Sequence, residues 1–191
     1  DAACAAGAIY RDQSVGALGD AAVFSFHPRK SITTGEGGMI TTNDDALAAK
    51  LRRLRNHGAD VPEEVRHRGP RPHDLPEFNE TGFNLRMTDL QGAIGFEQLN
   101  KLNQFITDRA QWAEWYRREL SGLDWLCCPV APKQGRHGWQ AFVTRVDPEN
   151  APVSRNALMD QLHTCGIATR PGTHAVHHPS LLNISEPTIR Y

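Results

Sequence analysis

The spacing of apolar positions changes several times along the chain, and each change marks an element. Ala21-Ala22-Val23-Phe24-Ser25-Phe26 is a short apolar and aromatic run of the kind that forms a buried strand. After the turn-forming Gly35-Glu36-Gly37-Gly38 comes a second β-rich run, Met39-Ile40-Thr41-Thr42. The period then becomes helical. Leu47, Leu51 and Leu54 share one face of a helix predicted over residues 44–56, with Asn43 as its N-cap. Asp44 and Asp45 lie at its positive end, and Arg52, Arg53 and Arg55 at its negative end, as the helix dipole favours.

Residues 58–82 read as one long loop, broken by Pro62, Gly69, Pro70, Pro72 and Pro76 and carrying the basic stretch His67-Arg68-Gly69-Pro70-Arg71. Loops of this length in a compact domain tend to be functional or disordered. Thr88 and Gln91 form a capping-box pattern that opens a helix to about residue 99, where the small Gly92, Ala93 and Gly95 admit close approach of another backbone. Leu99, Leu102, Ile106, Trp112, Tyr116 and Leu120 continue the apolar stripe through a second helix. The pattern loosens around Pro129, Pro132 and Gly135, which predicts a connection between subdomains. A strand over 140–146, a helix from the Ser154 cap to Cys165 closed by Gly166, and a strand over 167–169 stopped by Pro171 predict a small α/β unit.

Of the 191 residues 39% are hydrophobic and 23% charged, the balance of a globular rather than a disordered chain. With 21 basic against 22 acidic side chains the net charge is −1, which removes any long-range attraction to nucleic acid or to an anionic membrane. No apolar run approaches the ~20 residues needed to cross a bilayer, and the start lacks a signal-peptide pattern, so the expected compartment is the cytoplasm. Cys4, Cys127, Cys128 and Cys165 contain no C-x-x-C pair and are expected to be reduced thiols. His174, His177 and His178 cluster without an acidic or cysteine partner at a familiar ligand spacing, so no metal site is expected. The first residues carry no initiator methionine and Ile189-Arg190-Tyr191 arrives without a closing helix. Both features point to a fragment.

The chemistry concentrates between Phe24 and Gly38. A lysine on a glycine-bounded loop just beyond an apolar strand is well placed to meet a ligand, and desolvation there would favour the neutral amine that imine chemistry requires. On spacing alone, a solvated surface amine is the favoured reading of Lys30. A phosphate loop built on Gly35-Glu36-Gly37-Gly38 fails, because the G-x-x-x-x-G-K-[ST] order is missing.

Three blocks taken together narrow the reading: Asp1-Ala2-Ala3, Ser25-Phe26-His27-x-x-Lys30 with its Gly35-Glu36-Gly37-Gly38 tail, and Gly82-Phe83-Asn84-Leu85-Arg86-Met87-x-x-Leu90-Gln91. Their order and spacing resemble the DegT/DnrJ/EryC1/StrS family of pyridoxal-phosphate-dependent sugar aminotransferases, over most of the chain. The resemblance implies an α/β fold of the aspartate-aminotransferase-like class (PLP fold type I). Residues 1–122 would be the later part of the large cofactor-binding domain with its linking helices, and residues 123–191 an incomplete small C-terminal α/β domain. The chain would be truncated at both ends, inactive alone, and would expose apolar strand edges when folded by itself.

The same resemblance implies roles. Lys30 corresponds to the lysine that holds the aldehyde of pyridoxal 5'-phosphate and then carries the proton between substrate and cofactor carbons. Asp1 corresponds to the carboxylate that keeps the pyridine nitrogen protonated, so that the ring accepts electrons. Ser25 corresponds to a hydroxyl on the cofactor phosphate, and Asn84 to a side chain that reaches the phosphate in the neighbouring subunit's site, which implies a homodimer with shared active sites. Cys4 stands where many members carry glutamine or histidine near the phenolic oxygen, and a thiol is a weaker hydrogen-bond partner. Arg86, Arg170 and His174 read either as contacts to a nucleotide-sugar substrate or as structural ion pairs. The implied reaction moves an amino group from a donor, L-glutamate by family habit, to a keto group on a nucleotide-linked deoxysugar. Two alternatives are a PLP-dependent sugar dehydratase, whose relatives typically carry histidine at the lysine position, and a non-catalytic regulatory or assembly protein.

Overall fold

The computed structural model describes residues 1–61 and 76–172. In chain order these carry β1 (Ile9–Tyr10), β2 (Gln13–Ser14), β3 (Ala22–Ser25), β4 (Gly38–Thr41), α1 (Asp45–Leu54), α2 (Asp89–Glu119), β5 (Leu126–Cys127), β6 (Gly135–Arg136), β7 (Arg145–Val146) and α3 (Arg155–Thr164). The chain divides into two units, one made of Asp1–Glu119 with Val130–Phe142 and the other of Leu120–Pro129 with Val143–Tyr191. The segment Val130–Phe142 goes back to the first unit because β6 pairs with β1 and the Phe142 ring packs 5.3 Å from that of Tyr116 on α2. The basic stretch at 67–71 and His174 lie outside the described residues.

The expected strands at 21–26 and 39–42 form as β3 and β4, paired antiparallel with Val23 opposite Ile40 and Ser25 opposite Gly38. Ala22 is buried, whereas Val23, Met39 and Ile40 are about half exposed. Nothing in the sequence flagged the second sheet, in the order β2-β1-β6. Its β1–β2 hairpin turns on Arg11 and Asp12, with φ of 47° and 64°. A two-residue turn with both central residues left-handed matches strand twist, but Asn-Gly is its usual signature. Here Arg11 is held instead by its backbone N–H donating to the Gln134 carbonyl at 2.7 Å and by its Nε donating to Gln134 Oε1 at 3.1 Å.

α1 is capped by Asp44 rather than Asn43. The Asp44 carboxylate accepts from the N–H groups of Ala46 and Leu47, the short reach that a cap at the preceding position lacks. α2 is one 31-residue helix where two were expected, because no glycine or proline interrupts the run from Leu99 to Leu120. Its capping box forms: Gln91 N–H donates to Thr88 Oγ1 at 3.3 Å and Thr88 N–H to Gln91 Oε1 at 3.0 Å. Of the small residues, Gly95 serves a close approach, since a Cβ there would lie 2.9 Å from Thr34 Cγ2, while Gly92 faces open space. Ile106 is the most buried large side chain, and it packs where Gly7, with φ of 74°, leaves room.

In the second unit β5 and β7 pair antiparallel, and the strand expected over 140–146 is confined to Arg145–Val146. α3 starts at Ser154, whose hydroxyl accepts from the Ala157 N–H at 3.2 Å, and ends at Gly166 with φ of 78°. Ile167 is not a strand residue because its N–H folds back onto the Leu162 carbonyl at 2.9 Å, one of the bonds that close the helix. All four cysteines are free thiols, as expected. Among the described residues no helix is long and apolar enough to cross a membrane.

Gly7→Ala is expected to cost about 2 kcal/mol, because the new methyl meets the Ile106 side chain at a backbone angle that side chains rarely adopt. A thermal midpoint of the complete protein unchanged by this substitution would contradict the packing. Asp147, after β7, has its carboxyl held below the usual carboxylate range, first by the Asn150 side chain and then by the Glu149 N–H. The folded state thus binds this proton less readily than the unfolded chain. The turn adds stability above the ordinary aspartate range, and that stability fades as the pH falls through the lowered value. Asn150→Ala should move the Asp147 titration upward in a carboxyl NMR measurement.

Candidate active site

β3 ends at Ser25, and the next residues turn at once. Pro28 fixes the backbone at the second position of a tight turn, which closes when the Lys30 N–H donates to the His27 carbonyl at 2.9 Å. His27 secures both ends: its ring Nδ1 accepts from the Arg29 N–H at 3.1 Å, and its backbone N–H donates to Ser25 Oγ at 3.4 Å. On its other side, His27 Nε2 stands 3.8 Å from Glu36 Oε1. The turn therefore projects Lys30 from the end of β3 with its backbone fixed.

The rest of the loop is closed by Phe26. Its N–H donates to the Gly37 carbonyl at 2.8 Å, and its carbonyl accepts from the Thr34 N–H and from the Thr33 hydroxyl. Gly37, with φ of 148°, is required here because a Cβ would sit 2.7 Å from Thr34 Oγ1. Four contacts then lay this loop along one face of α2. Gln91 Nε2 donates to the Glu36 carbonyl at 2.9 Å, Gly95 lies against Thr34, Gln98 Oε1 accepts from the Thr33 N–H at 3.3 Å, and Arg109 Nη1 donates to Ser31 Oγ at 2.8 Å.

Lys30 is half-buried, and its Nζ donates to Cys4 Sγ at 3.0 Å. The leading segment is brought there by the Ala2 N–H, which donates to the Val23 carbonyl at 2.9 Å and lays residues 1–4 beside the strand that carries Ser25. Asp1 is exposed, and its carboxylate caps the next turn by accepting from the Ala3 N–H at 2.9 Å. The structure thus puts Lys30 and Cys4 in direct contact and holds Asp1 and Ser25 on segments bonded to each other. Sequence reasoning placed Cys4 near the cofactor but did not reveal its contact with Lys30. Ser31, Arg109 and Gln140, which meet next to Lys30, were missed altogether.

Asn84 lies on an exposed segment fastened to the end of α1. The Phe83 N–H donates to the Leu54 carbonyl, the Leu85 N–H to the Arg55 carbonyl, and Asn84 bridges Asn56. Arg86 spends part of its guanidinium on Asn56, with Nη1 2.5 Å from Oδ1, a structural contact of the kind the sequence left open. Arg170 is exposed in the second unit. A primary amine, a thiol, a hydroxyl and a carboxylate on bonded segments form a donor set that suits an aldehyde-bearing, protonatable aromatic phosphate.

Residues 1–185 match the model of the DegT/DnrJ/EryC1/StrS aminotransferase family. Over 178 residues the chain is 41% identical to the GDP-perosamine synthase of Caulobacter vibrioides (strain ATCC 19089 / CIP 103742 / CB 15), a match covering 93% of this chain and 45% of that protein. The chain thus spans about half the length of the curated relatives it matches. Among solved structures, the aminotransferase TlmJ from Streptoalloteichus hindustanus superposes with a TM-score of 0.79 at 29% identity, covering 94% of this chain and 45% of that one. DesV of S. venezuelae, solved in complex with a ketimine intermediate, gives 0.78 at 28% identity, with 98% and 46% covered. The α/β architecture is therefore the aspartate-aminotransferase-like, fold type I class expected from the sequence. Blocks in order, a shared fold and a match along nearly the whole length lead to one assignment: the chain belongs to the DegT/DnrJ/EryC1/StrS aminotransferase family.

Proposed function

We propose that the complete protein is a pyridoxal-phosphate-dependent aminotransferase that moves an amino group, from L-glutamate, to a keto group of a nucleotide-linked deoxysugar. The observation that carries this reading is Lys30: a half-buried primary amine on a turn fixed at the end of β3, within bonding distance of Cys4. When bound, the cofactor supplies an electron sink for the carbanion formed by loss of the substrate α-proton. Lys30 would hold the cofactor aldehyde through Nζ, and the same amine would serve as the base that moves the substrate proton. The Asp1 carboxylate would keep the pyridine nitrogen protonated. Ser25 Oγ would hold the phosphate, and the Cys4 thiol, 3.0 Å from Nζ, limits the positions the amine can take.

Asn84 is the residue we assign to the neighbouring subunit's phosphate site. Its exposure, between the exposed Phe83 and Leu85, supports a homodimer in which this segment is covered by a second copy. Arg86, Arg170 and His174 are assigned to the nucleotide-sugar side, and the cytoplasm is the compartment in which such a substrate is made.

In the complete protein, incubation with pyridoxal 5'-phosphate followed by borohydride is expected to fix the cofactor on the peptide containing Lys30, as read by mass spectrometry. Lys30→Ala should abolish the adduct and lower turnover by about 10²–10⁴-fold or more. Unchanged turnover, or an adduct elsewhere, overturns the assignment, and a regulatory protein would give no adduct at all. Asn84→Ala should weaken cofactor binding about tenfold. If Asn84 acts across the dimer, mixing that variant with Lys30→Ala restores one unaltered site per mixed dimer, so at limiting cofactor the mixture is more active than either parent alone.

A further inference from the structure

We propose that Arg109 and Gln140 are positioning residues for the Lys30 amine, acting through Ser31 as a clamp on the backbone either side of Lys30. The inference rests on the reading of Lys30 given above. Ser31 is only 6% exposed, and its hydroxyl is the meeting point of two distant parts of the first unit. It accepts from Arg109 Nη1 on α2 at 2.8 Å and donates to Gln140 Oε1 at 3.1 Å. Gln140 Nε2 in turn donates to the Arg29 carbonyl.

The acceptor-only group at the end of this chain sets the order of donors. A carbonyl can only accept, so Gln140 turns its NH₂ toward Arg29 and its carboxamide oxygen toward Ser31. The Ser31 proton therefore points at Gln140, and its oxygen accepts from the Arg109 guanidinium, which can only donate. The peptide before Lys30 and the side chain after it are therefore held by one directional network anchored on α2. The turn bond from the Lys30 N–H to the His27 carbonyl restrains the backbone further. What is left to the lysine is its own four-carbon stem, which the Cys4 contact confines at the tip. An amine that must reach two carbons in one cycle is sensitive to such placement, since a displacement of about 1 Å can cost on the order of 100-fold in rate.

The test uses the complete protein and two readouts. The first is turnover with the cofactor. Gln140→Leu and Arg109→Met are expected to lower kcat about tenfold while KM for the amino donor stays within about threefold. Arg109→Lys should recover much of the loss, because an ammonium still donates to Ser31. Gln140→Glu should recover none, because a carboxylate facing the Arg29 carbonyl can only accept. The second readout needs no cofactor: the rate at which trinitrobenzenesulfonate labels Lys30, followed on its peptide, should rise about threefold in Gln140→Leu as the loop loosens. If Arg109→Met does not fold, Ser31→Ala removes the hub at the cost of one oxygen and is read in the same way. Ile106→Val sets the effect of lost stability alone, lowering the thermal midpoint without changing kcat.

A kcat within about twofold of wild type in both clamp variants, or equal losses in Arg109→Lys and Arg109→Met, overturns the clamp. So does a Lys30 labelling rate that no variant alters. A wild-type protein that fixes no cofactor on Lys30 overturns the functional reading instead, while the cofactor-free labelling still decides whether the network holds the amine.

Discussion

The site depends on the backbone bonding of one residue, Phe26. Its N–H reaches Gly37 and its carbonyl takes both the Thr34 N–H and the Thr33 hydroxyl, so the loop joining β3 to β4 closes on itself. Those bonds help offset the conformational cost of ordering the loop, about 1–2 kcal/mol for each residue fixed. With them, the turn at His27–Lys30 inherits a rigid base, and the half-buried amine occupies one place. Cys4 reaches that place because the Ala2–Val23 bond lays the leading segment beside the same strand.

Local chemistry was legible in the sequence wherever it acts over a few residues. β3, β4, the Thr88–Gln91 capping box, the Ser154 cap and the Gly166 stop all rest on neighbours within a turn or a strand pair, and all form. The N-cap of α1 moved by one residue, from Asn43 to Asp44, since adjacent Asx side chains compete for the same donors and only geometry decides. The β1–β2 hairpin was hidden because left-handed residues at Arg11 and Asp12 are stabilised by Gln134, more than a hundred residues away in sequence. The two-residue β6 carries too little pattern to register and sits in a Pro- and Gly-rich stretch that resembles a linker.

The candidate site divides along the same line. Lys30, Asp1, Ser25 and Asn84 stood out because they sit in short blocks with a family resemblance. Ser31, Arg109 and Gln140 did not, since their bonds span 78 and 109 residues and each type alone is ordinary. A faint signal existed on α2: Gln91, Gln98 and Arg109 lie close to whole turns apart at about 3.6 residues per turn, a polar line on an otherwise mixed helix. Apolar periodicity drew attention to the opposite use of that helix, the packing of Ile106 against Gly7.

That polar line has a consequence for which lengths of chain natural variation can tolerate. The loop residues 36, 33 and 31 are met by helix residues 91, 98 and 109, so the two segments run in opposite directions like a tape laid against a ruler. Adding or deleting one residue between Gln98 and Arg109 would swing every later position by about 100° and carry the guanidinium away from Ser31. Relatives that keep this loop should therefore differ in α2 by substitution but hold its residue count between those marks constant.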